Sequence, residues 1–160
     1  MRVAKVVESV EATSPRFLYV DTLREDLDPH LDWLQPSFVD TDRNIRLSIH
    51  TFLIQTSKHT ILIDTGIGND KQNLEFANWN ARQGSYLSDL AAAGCAAEAV
   101  DYVCCTHMHL DHTGWNTRLV DGRWMPTFPN ARYLFDKSEW QHCLDHPGPA
   151  TEAMRRISSA

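Results

Sequence analysis

Three histidines and one aspartate lie within six consecutive residues of this chain, in the segment His107-Met108-His109-Leu110-Asp111-His112. In an extended stretch, residues two positions apart point to the same side, so His107 and His109 can converge on one ion. Asp111 and His112 come at the following turn and can face a second site nearby. Imidazole nitrogens and carboxylate oxygens are suitable ligands for zinc and other first-row divalent metals. The spacing therefore predicts a metal-binding site.

The remaining histidines show no comparable pattern, and we expect them to be ordinary surface or core residues. They are His30, His50, His59, His142 and His146. His142 and His146 follow the motif, but they lie close to it in the sequence, and Pro147-Gly148-Pro149 predicts a turn directly after them. We therefore do not assign either as a metal ligand.

The hydrophobic pattern predicts a mixed α/β structure that positions the motif at the end of a buried strand. Strands are expected at residues 3–10, 44–56, 61–63, 100–106 and 132–135, and helices at residues 85–93 and shortly after residue 136. Ser57-Lys58-His59 is predicted to be a hairpin turn, and Ser85 and Gly94 to bound the first helix. Asp136 and Glu139 have capping-box spacing. The acidic, proline-interrupted segment between the first two strands is expected to be a long loop.

The composition argues against several classes of function. The formal net charge of −6 disfavours nucleic-acid or anionic-membrane partners, which require clustered lysine and arginine. No apolar run reaches the length of a membrane span, and no secretory signal is evident, so we expect a cytoplasmic protein. Cys104 and Cys105 lie in an apolar stretch and are expected to pack as small hydrophobic residues. Phe17, Leu18 and Tyr19 form an apolar patch in the N-terminal segment, and we expect core packing for them rather than a role in a substrate pocket.

The motif and its surroundings resemble the metallo-β-lactamase superfamily. Residues 107–112 resemble its signature, Ile61–Gly66 looks like its upstream strand and D-T-G turn, and Val100–Val103 looks like the strand before the motif. Thr113–Thr117 and Phe128–Ala131 are similar to the lactonase-like and organophosphate-hydrolase-like branch. The resemblance begins at about residue 45. It implies a four-layer αββα sandwich, of which this chain would supply about the N-terminal half.

The resemblance also implies roles for individual residues and two zinc ions as cofactors. His107 and His109 match ligands of the first metal, and Asp111 and His112 match ligands of the second. In many members the aspartate matched by Asp111 also holds or accepts a proton. Asp64 matches an acidic position that orients a ligand, although a simple turn or capping role remains open. The implied activity is hydrolysis of a small ester, lactone or related substrate by zinc-bound hydroxide.

The chain departs from the family pattern because it contains no assigned third histidine, bridging aspartate or final histidine after the motif. We therefore expect residues 1–160 to be a single incomplete domain that is inactive by itself. Its apolar sheet residues favour aggregation or a homodimer. Two alternatives are a catalytically inactive metal-binding remnant and a nucleic-acid-processing enzyme of the same fold. The acidic composition weighs against the latter.

Overall fold

A five-stranded mixed sheet is the main feature of the computed structural model, which describes residues 1–72, 74 and 76–146. The strands of the described residues are β1 (Arg2–Thr13), β2 (Ile45–Gln55), β3 (Thr60–Ile63), β4 (Tyr102–Cys104), β5 (Thr117–Val120), β6 (Arg123–Pro126) and β7 (Arg132–Leu134). The order in the main sheet is β1-β2-β3-β4-β7, and β5 and β6 form a separate two-stranded sheet. The mixed α/β class predicted from the sequence is confirmed.

Strands β2 and β3 form the predicted antiparallel hairpin. Leu53 pairs with Leu62, and both side chains are almost fully buried. The turn between the strands is closed by Thr56, whose hydroxyl oxygen accepts hydrogen bonds from the backbone N–H groups of Lys58 and His59 at 3.1 and 2.8 Å. Burial alternates along β2 as far as Leu53, with Ile49, Thr51 and Leu53 buried and Phe52 exposed.

Strands β3, β4 and β7 are parallel, so their carboxyl ends lie at one edge of the sheet. Ile63 pairs with Cys104, and Cys104 pairs with Leu134. Asp64 directly follows β3, and residues 105–112 directly follow β4. Because ligand sites in such sheets lie outside the carboxyl ends of the strands, this edge brings the predicted site residues together.

The α-helices are short. They are α1 (Leu31–Leu34), α2 (Tyr86–Ala92), α3 (Leu110–Thr113) and α4 (Lys137–Asp145). Helix α2 begins after Ser85, as predicted, but the Ser85 side chain makes no capping hydrogen bond. Asp136 does cap α4, because its carboxylate accepts from the backbone N–H groups of Ser138 and Glu139. Within the part of the chain that is described, no helix is long and apolar enough to cross a membrane.

The main hydrophobic core lies within the unit formed by residues 1–8 and the described residues from 50 onward, and a smaller cluster in that unit contains Met108 and Cys143. The buried members of the main core are Val6, Leu53, Leu62, Tyr86, Leu90, Cys95, Val100, Val103, Cys105, Trp115 and Phe128. Cys105 packs there as expected, and burial raises the pKa of its thiol to about 12. Cys104 is only half-buried. Trp115 stacks on Tyr86 with ring centroids 5.2 Å apart, which connects the segment after the motif to the core.

Residues 9–49 form a second compact unit. The predicted long loop contains short helical turns, at Pro15–Phe17, Glu25–His30 and α1. We expected Phe17, Leu18 and Tyr19 to pack in a core, and this prediction is wrong: Phe17 is 53% exposed and Tyr19 is 61% exposed. The Pro15–Phe17 turn carries these residues along the surface, since only Pro15 of that turn is buried. The turn predicted at residues 147–149 lies outside the described residues.

The β5–β6 hairpin was not anticipated from the sequence, although its turn has a recognisable signal. Asp121 and Gly122 both have positive φ, 49° and 77°. Two successive left-handed residues define the turn type that is favoured in two-residue hairpins, and Asp-Gly is a preferred pair for it. The hairpin matters for the site because it contacts the loop that follows β3, through Lys71.

Gly114 is expected to be sterically irreplaceable. A Cβ atom there would overlap the backbone carbonyl of Ile67 and approach the Gly66 carbonyl oxygen to 2.6 Å. Backbone atoms cannot rotate away, so Gly114→Ala should lower the free energy of unfolding by about 1–3 kcal/mol or more, as overpacking does. The matched control is Gly84→Ala, whose Cβ would meet only the Asn69 side chain at 3.6 Å. Urea unfolding measures both, and equal stabilities of the two variants would contradict the structure.

Candidate metal centre

Asp64 is placed at the site by the pairing of β3 with β4. Its backbone N–H donates to the carbonyl of Cys104 at 2.9 Å, which extends the strand pairing by one residue. The Asp64 backbone then turns in the left-handed region, with φ of 57°. Its carboxylate accepts from the backbone N–H of Thr106 at 2.7 Å and from the Thr106 hydroxyl at 2.8 Å. Asp64 is therefore fixed against the first residue of the segment that carries the histidines.

His107 and His109 come together as the alternating spacing indicated. The distance between Nε2 of His107 and Nδ1 of His109 is 3.1 Å. His109 precedes the first residue of α3, and His112 lies within that helix. The His107 and His112 rings are also close, with centroids 4.0 Å apart. The structure thus groups all three histidines of the motif.

His112 lies between two carboxylates. Its Nδ1 is 2.8 Å from Oδ2 of Asp64, and its Nε2 is 3.4 Å from Oδ2 of Asp111. The Asp64 side chain is the most buried of the three, at 13% exposure. Asp111 and Asp64 therefore contact opposite nitrogens of the same ring.

The electrostatics of the site favour a charged His112. Burial alone would lower the pKa of His112, but the hydrogen bonds that His112 donates to Asp111 and Asp64 and the negative charges of these carboxylates outweigh burial and raise it to about 9. Burial opposes ionisation of the two carboxyls, yet their contacts hold the pKa of Asp64 and the pKa of Asp111 below the usual range. The pKa of His107 is lowered, first by burial and then by the neighbouring His112 and His109.

The residues at this site fit a divalent metal ion by donor type and by spacing. Two nitrogens bound to one tetrahedral zinc at about 2.0–2.1 Å lie about 3.3–3.4 Å apart, close to the 3.1 Å between His107 and His109. Across the described residues, no group of three or more His, Cys, Asp or Glu side chains is already arranged to hold one ion. Both ring nitrogens of His112 face carboxylates, so His112 would have to give up a proton to become a ligand.

Several contacts at the site were not evident from the sequence. Thr106 bridges Asp64 and His107, because its hydroxyl oxygen is also 3.1 Å from Nδ1 of His107. Glu139 was expected to complete a capping box, but its carboxylate accepts from the backbone N–H of Met108 at 3.3 Å. The position of Thr106 directly before the motif is a usable sequence signal. No sequence signal indicates the contact between Glu139 and Met108.

Lys71 is a buried lysine on the loop that follows β3. Its ammonium donates to the backbone carbonyl and hydroxyl of Thr117 at 3.1 and 3.0 Å, and it lies 3.8 Å from the centre of the Trp124 ring. Burial lowers the pKa of Lys71 to about 7. These contacts hold the loop against the β5–β6 hairpin.

His142 and His146 are not part of the histidine group of the motif. They stack on each other along α4, with ring centroids 4.3 Å apart. Nδ1 of His146 is 3.1 Å from the carbonyl oxygen of His142, which accounts for the orientation of that ring. The pair thus has an arrangement of its own, and the decision to leave both residues out of the predicted ligand set stays a prediction.

Solved structures of hydrolases are similar to this chain. A probable metal-dependent hydrolase from Staphylococcus aureus has 23% identity and a TM-score of 0.70, and the match covers 95% of this chain and 52% of that one. AidC, a dizinc quorum-quenching lactonase, has 20% identity and a TM-score of 0.71, with 98% and 55% covered. The hydrolase AbOPH of the beta lactamase superfamily has 25% identity and a TM-score of 0.67, with 97% and 50% covered. The chain spans about half the length of these proteins.

The protein family of this chain is assigned by a match to a family model. A comparison with curated protein sequences gave no match. The model of the metallo-beta-lactamase superfamily, in contrast, matches residues 45–147, which include β2 to β7 and the complete histidine motif. With the fold and the family model in agreement, the chain belongs to the metallo-beta-lactamase superfamily.

Proposed function

We propose that this protein acts as a metal-dependent hydrolase on a small ester, lactone or related substrate, with zinc as the metal. The observation that supports this most directly is the approach of His107 and His109 to 3.1 Å, beside His112 and its two carboxylates. Such a group of imidazoles and carboxylates at the carboxyl end of a sheet suits a divalent ion and a polar substrate.

Each residue of the group has a proposed role. His107 and His109 would hold one ion, and Asp111 and His112 would contribute to a second. A bound divalent ion would supply a Lewis acid and a water of lowered pKa. Asp111 is the proposed proton-holding group, since its carboxylate already lies 3.4 Å from the Nε2 atom of His112. Asp64 would orient His112 through Nδ1 without binding metal itself.

The structural matches support a lactone or ester as the substrate class. The AidC structure is described as a complex with the product N-hexanoyl-L-homoserine, and a mutant of AiiA from B. thuringiensis has N-decanoyl-L-homoserine bound at its active site. Extending these substrates to the present chain is part of the proposal. We also propose that the protein does not bind nucleic acid, and the net charge of −6 supports this.

The function is tested by supplying the purified full-length protein with zinc and measuring hydrolysis of N-hexanoyl homoserine lactone and of 4-nitrophenyl acetate. Zinc-dependent turnover of either substrate, abolished by a chelator, is the expected result. Tight zinc binding without turnover would favour the alternative of a non-catalytic metal-binding protein. Failure to bind zinc at all would contradict both.

Replacing His107 and His109 together with alanine should abolish stoichiometric zinc binding, because the two nitrogens that approach each other are then lost. The matched control replaces His142 and His146 with alanine, a second pair of neighbouring histidines that should leave zinc content unchanged. Metal analysis after gel filtration, together with calorimetric titration, measures both variants. Normal zinc content in the first variant, or loss of zinc in the second, would show that the ligands are wrongly assigned.

Asp64→Asn should lower the pKa of His112 from about 9 towards its ordinary value of 6.5, because one of two neighbouring negative charges is removed. Asparagine keeps the side-chain size and tolerates the left-handed backbone of residue 64. Zinc affinity should also fall on the order of 10–100-fold, as when groups that orient ligands are removed. NMR titration of the His112 ring in a chelator-containing buffer measures the first effect. An unchanged His112 pKa would contradict the role of Asp64.

The same variant should change stability in a defined pH window. The raised pKa of His112 gives stability that is full below pH 6.5 and is lost as the pH rises through about 9. The lowered pKa of Asp64 gives stability that is present above 3.8 and is lost as the pH falls through the folded-state value. The difference in free energy of unfolding between wild type and Asp64→Asn should therefore be largest between pH 3.8 and 6.5. A pH-independent difference would argue against the ion pair.

A further inference from the structure

Glu8 makes contacts that no part of the proposed mechanism uses. It lies on β1, far from the motif in sequence, and is half-buried. Its carboxylate accepts three hydrogen bonds: from the backbone N–H of Ile67 at 2.6 Å, from the backbone N–H of Gly68 at 3.1 Å, and from the indole Nε1–H of Trp115 at 2.7 Å. One carboxylate therefore joins two segments that are 47 residues apart at their nearest contacts, Gly68 and Trp115.

Both segments carry residues of the candidate metal centre. Ile67 and Gly68 belong to the loop that begins with Asp64, and Trp115 comes three residues after His112. The same segments are also joined directly by their backbones. Thr65 donates to the carbonyl of His112 at 2.8 Å, Gly114 donates to Gly66 at 2.7 Å, and Trp115 donates to Thr65 at 2.9 Å. Glu8, on β1, adds its three hydrogen bonds to these backbone contacts between the two segments.

The fit around the Glu8 carboxylate is specific. Gly66 has a φ of 58°, and any Cβ there would overlap Oε2 of Glu8, so the carboxylate lies directly against the Gly66 backbone. Trp115 is 3% exposed and stacks on Tyr86, so its indole cannot move away to compensate. An amide in place of the carboxylate offers one acceptor oxygen, and its NH₂ group would face an N–H donor. Three donors therefore require a carboxylate at this position.

We propose that Glu8 is a positioning residue that sets the placement of Asp64 relative to His112, and through it the metal affinity of the site. This inference rests on the proposed metal-binding function. The contact it controls is the 2.8 Å approach of Asp64 Oδ2 to Nδ1 of His112, which depends on how the loop after β3 lies against the segment from His109 to Trp115. Displacements of about 1 Å at such a site cost on the order of 100-fold in function.

The main variant is Glu8→Gln, and its matched control is Asp101→Asn. Asp101 is also a carboxylate that accepts from a backbone N–H, that of Thr60 at 2.7 Å, but at the opposite end of β3 from Asp64. In Glu8→Gln, amide hydrogen exchange of Thr65, Gly114 and Trp115 should accelerate at least about tenfold, because local opening of their hydrogen bonds becomes easier. The His112 ring resonances should shift, and zinc affinity should fall about 10–100-fold. Asp101→Asn should show none of these changes.

Two further variants keep the test decisive if Glu8→Gln does not fold. Glu8→Asp retains the carboxylate on a shorter side chain and should recover part of the zinc affinity. Trp115→Phe removes only the indole donor and should give a smaller shift of the His112 resonances in the same direction. Wild-type exchange and His112 resonances in Glu8→Gln, even with a lowered unfolding midpoint, would show that Glu8 is only structural and would overturn the proposal.

The readouts also separate this proposal from the proposed function. If the wild-type protein binds no zinc, the metal-binding function fails, and with it the link from Glu8 to metal affinity. The exchange rates and His112 resonances still report whether Glu8 positions the two residues. If zinc binds normally to wild type and equally well to Glu8→Gln, the function stands and the Glu8 proposal fails.

Discussion

Backbone hydrogen bonds continue the pairing of β3 and β4 beyond the sheet and hold the whole candidate site together. The N–H of Asp64 donates to Cys104, the N–H of Thr65 donates to His112, and the N–H of Gly114 donates to Gly66. These bonds require two polypeptide segments to approach without side chains between them. Gly66 and Gly114 satisfy that requirement, since a Cβ at either position would overlap a neighbouring group. The histidine motif is thereby held at a fixed distance from the Asp64 carboxylate.

The side chains that surround this backbone contact connect it to the rest of the unit. Trp115 stacks on Tyr86, whose hydroxyl is hydrogen-bonded to the fully buried Thr51 on β2 at 2.7 Å. Lys71 holds the other side of the loop against Thr117 and Trp124. The loop after β3 is thus linked to β5 and β6 through Lys71, and to β2 and α2 through Trp115. Such support is what a ligand site needs if its geometry is to be kept within a fraction of an ångström.

Much of this arrangement could be predicted from local sequence. The motif, the strand before it and the turn at Asp64 follow from spacing and hydrophobic pattern, because each depends on neighbours a few residues away. The role of Glu8 could not be predicted, since its partners are 59 to 107 residues distant and a single carboxylate on a strand has no distinctive pattern. The β5–β6 hairpin is a different case, because the Asp121-Gly122 pair is a local sequence signal for its turn.

The exposed segment at Phe17 shows that apolar residue type alone does not predict burial. Apolar residues in sequence do not reveal whether a partner surface is available, and the surface of a folded protein is itself largely apolar. Burial was correctly expected for Cys105 because it continues the apolar run of β4, and Cys105 belongs to the hydrophobic core. No comparable periodicity surrounds Phe17, so composition alone was a poor basis for placing it in a core.

The buried ammonium of Lys71 has a consequence for how the folded chain exchanges protons with its solvent. Its pKa of about 7 in the folded chain lies below the ordinary 10.5. Between these two pH values, unfolding takes up a proton at Lys71, so the contribution of Lys71 to the free energy of unfolding rises with pH. His112 has the opposite linkage between 6.5 and about 9, where unfolding releases protons and stability falls with pH. From about pH 7 to 9 the two contributions oppose each other. The opposite slopes contributed by these two residues therefore flatten the dependence of stability on pH in that range.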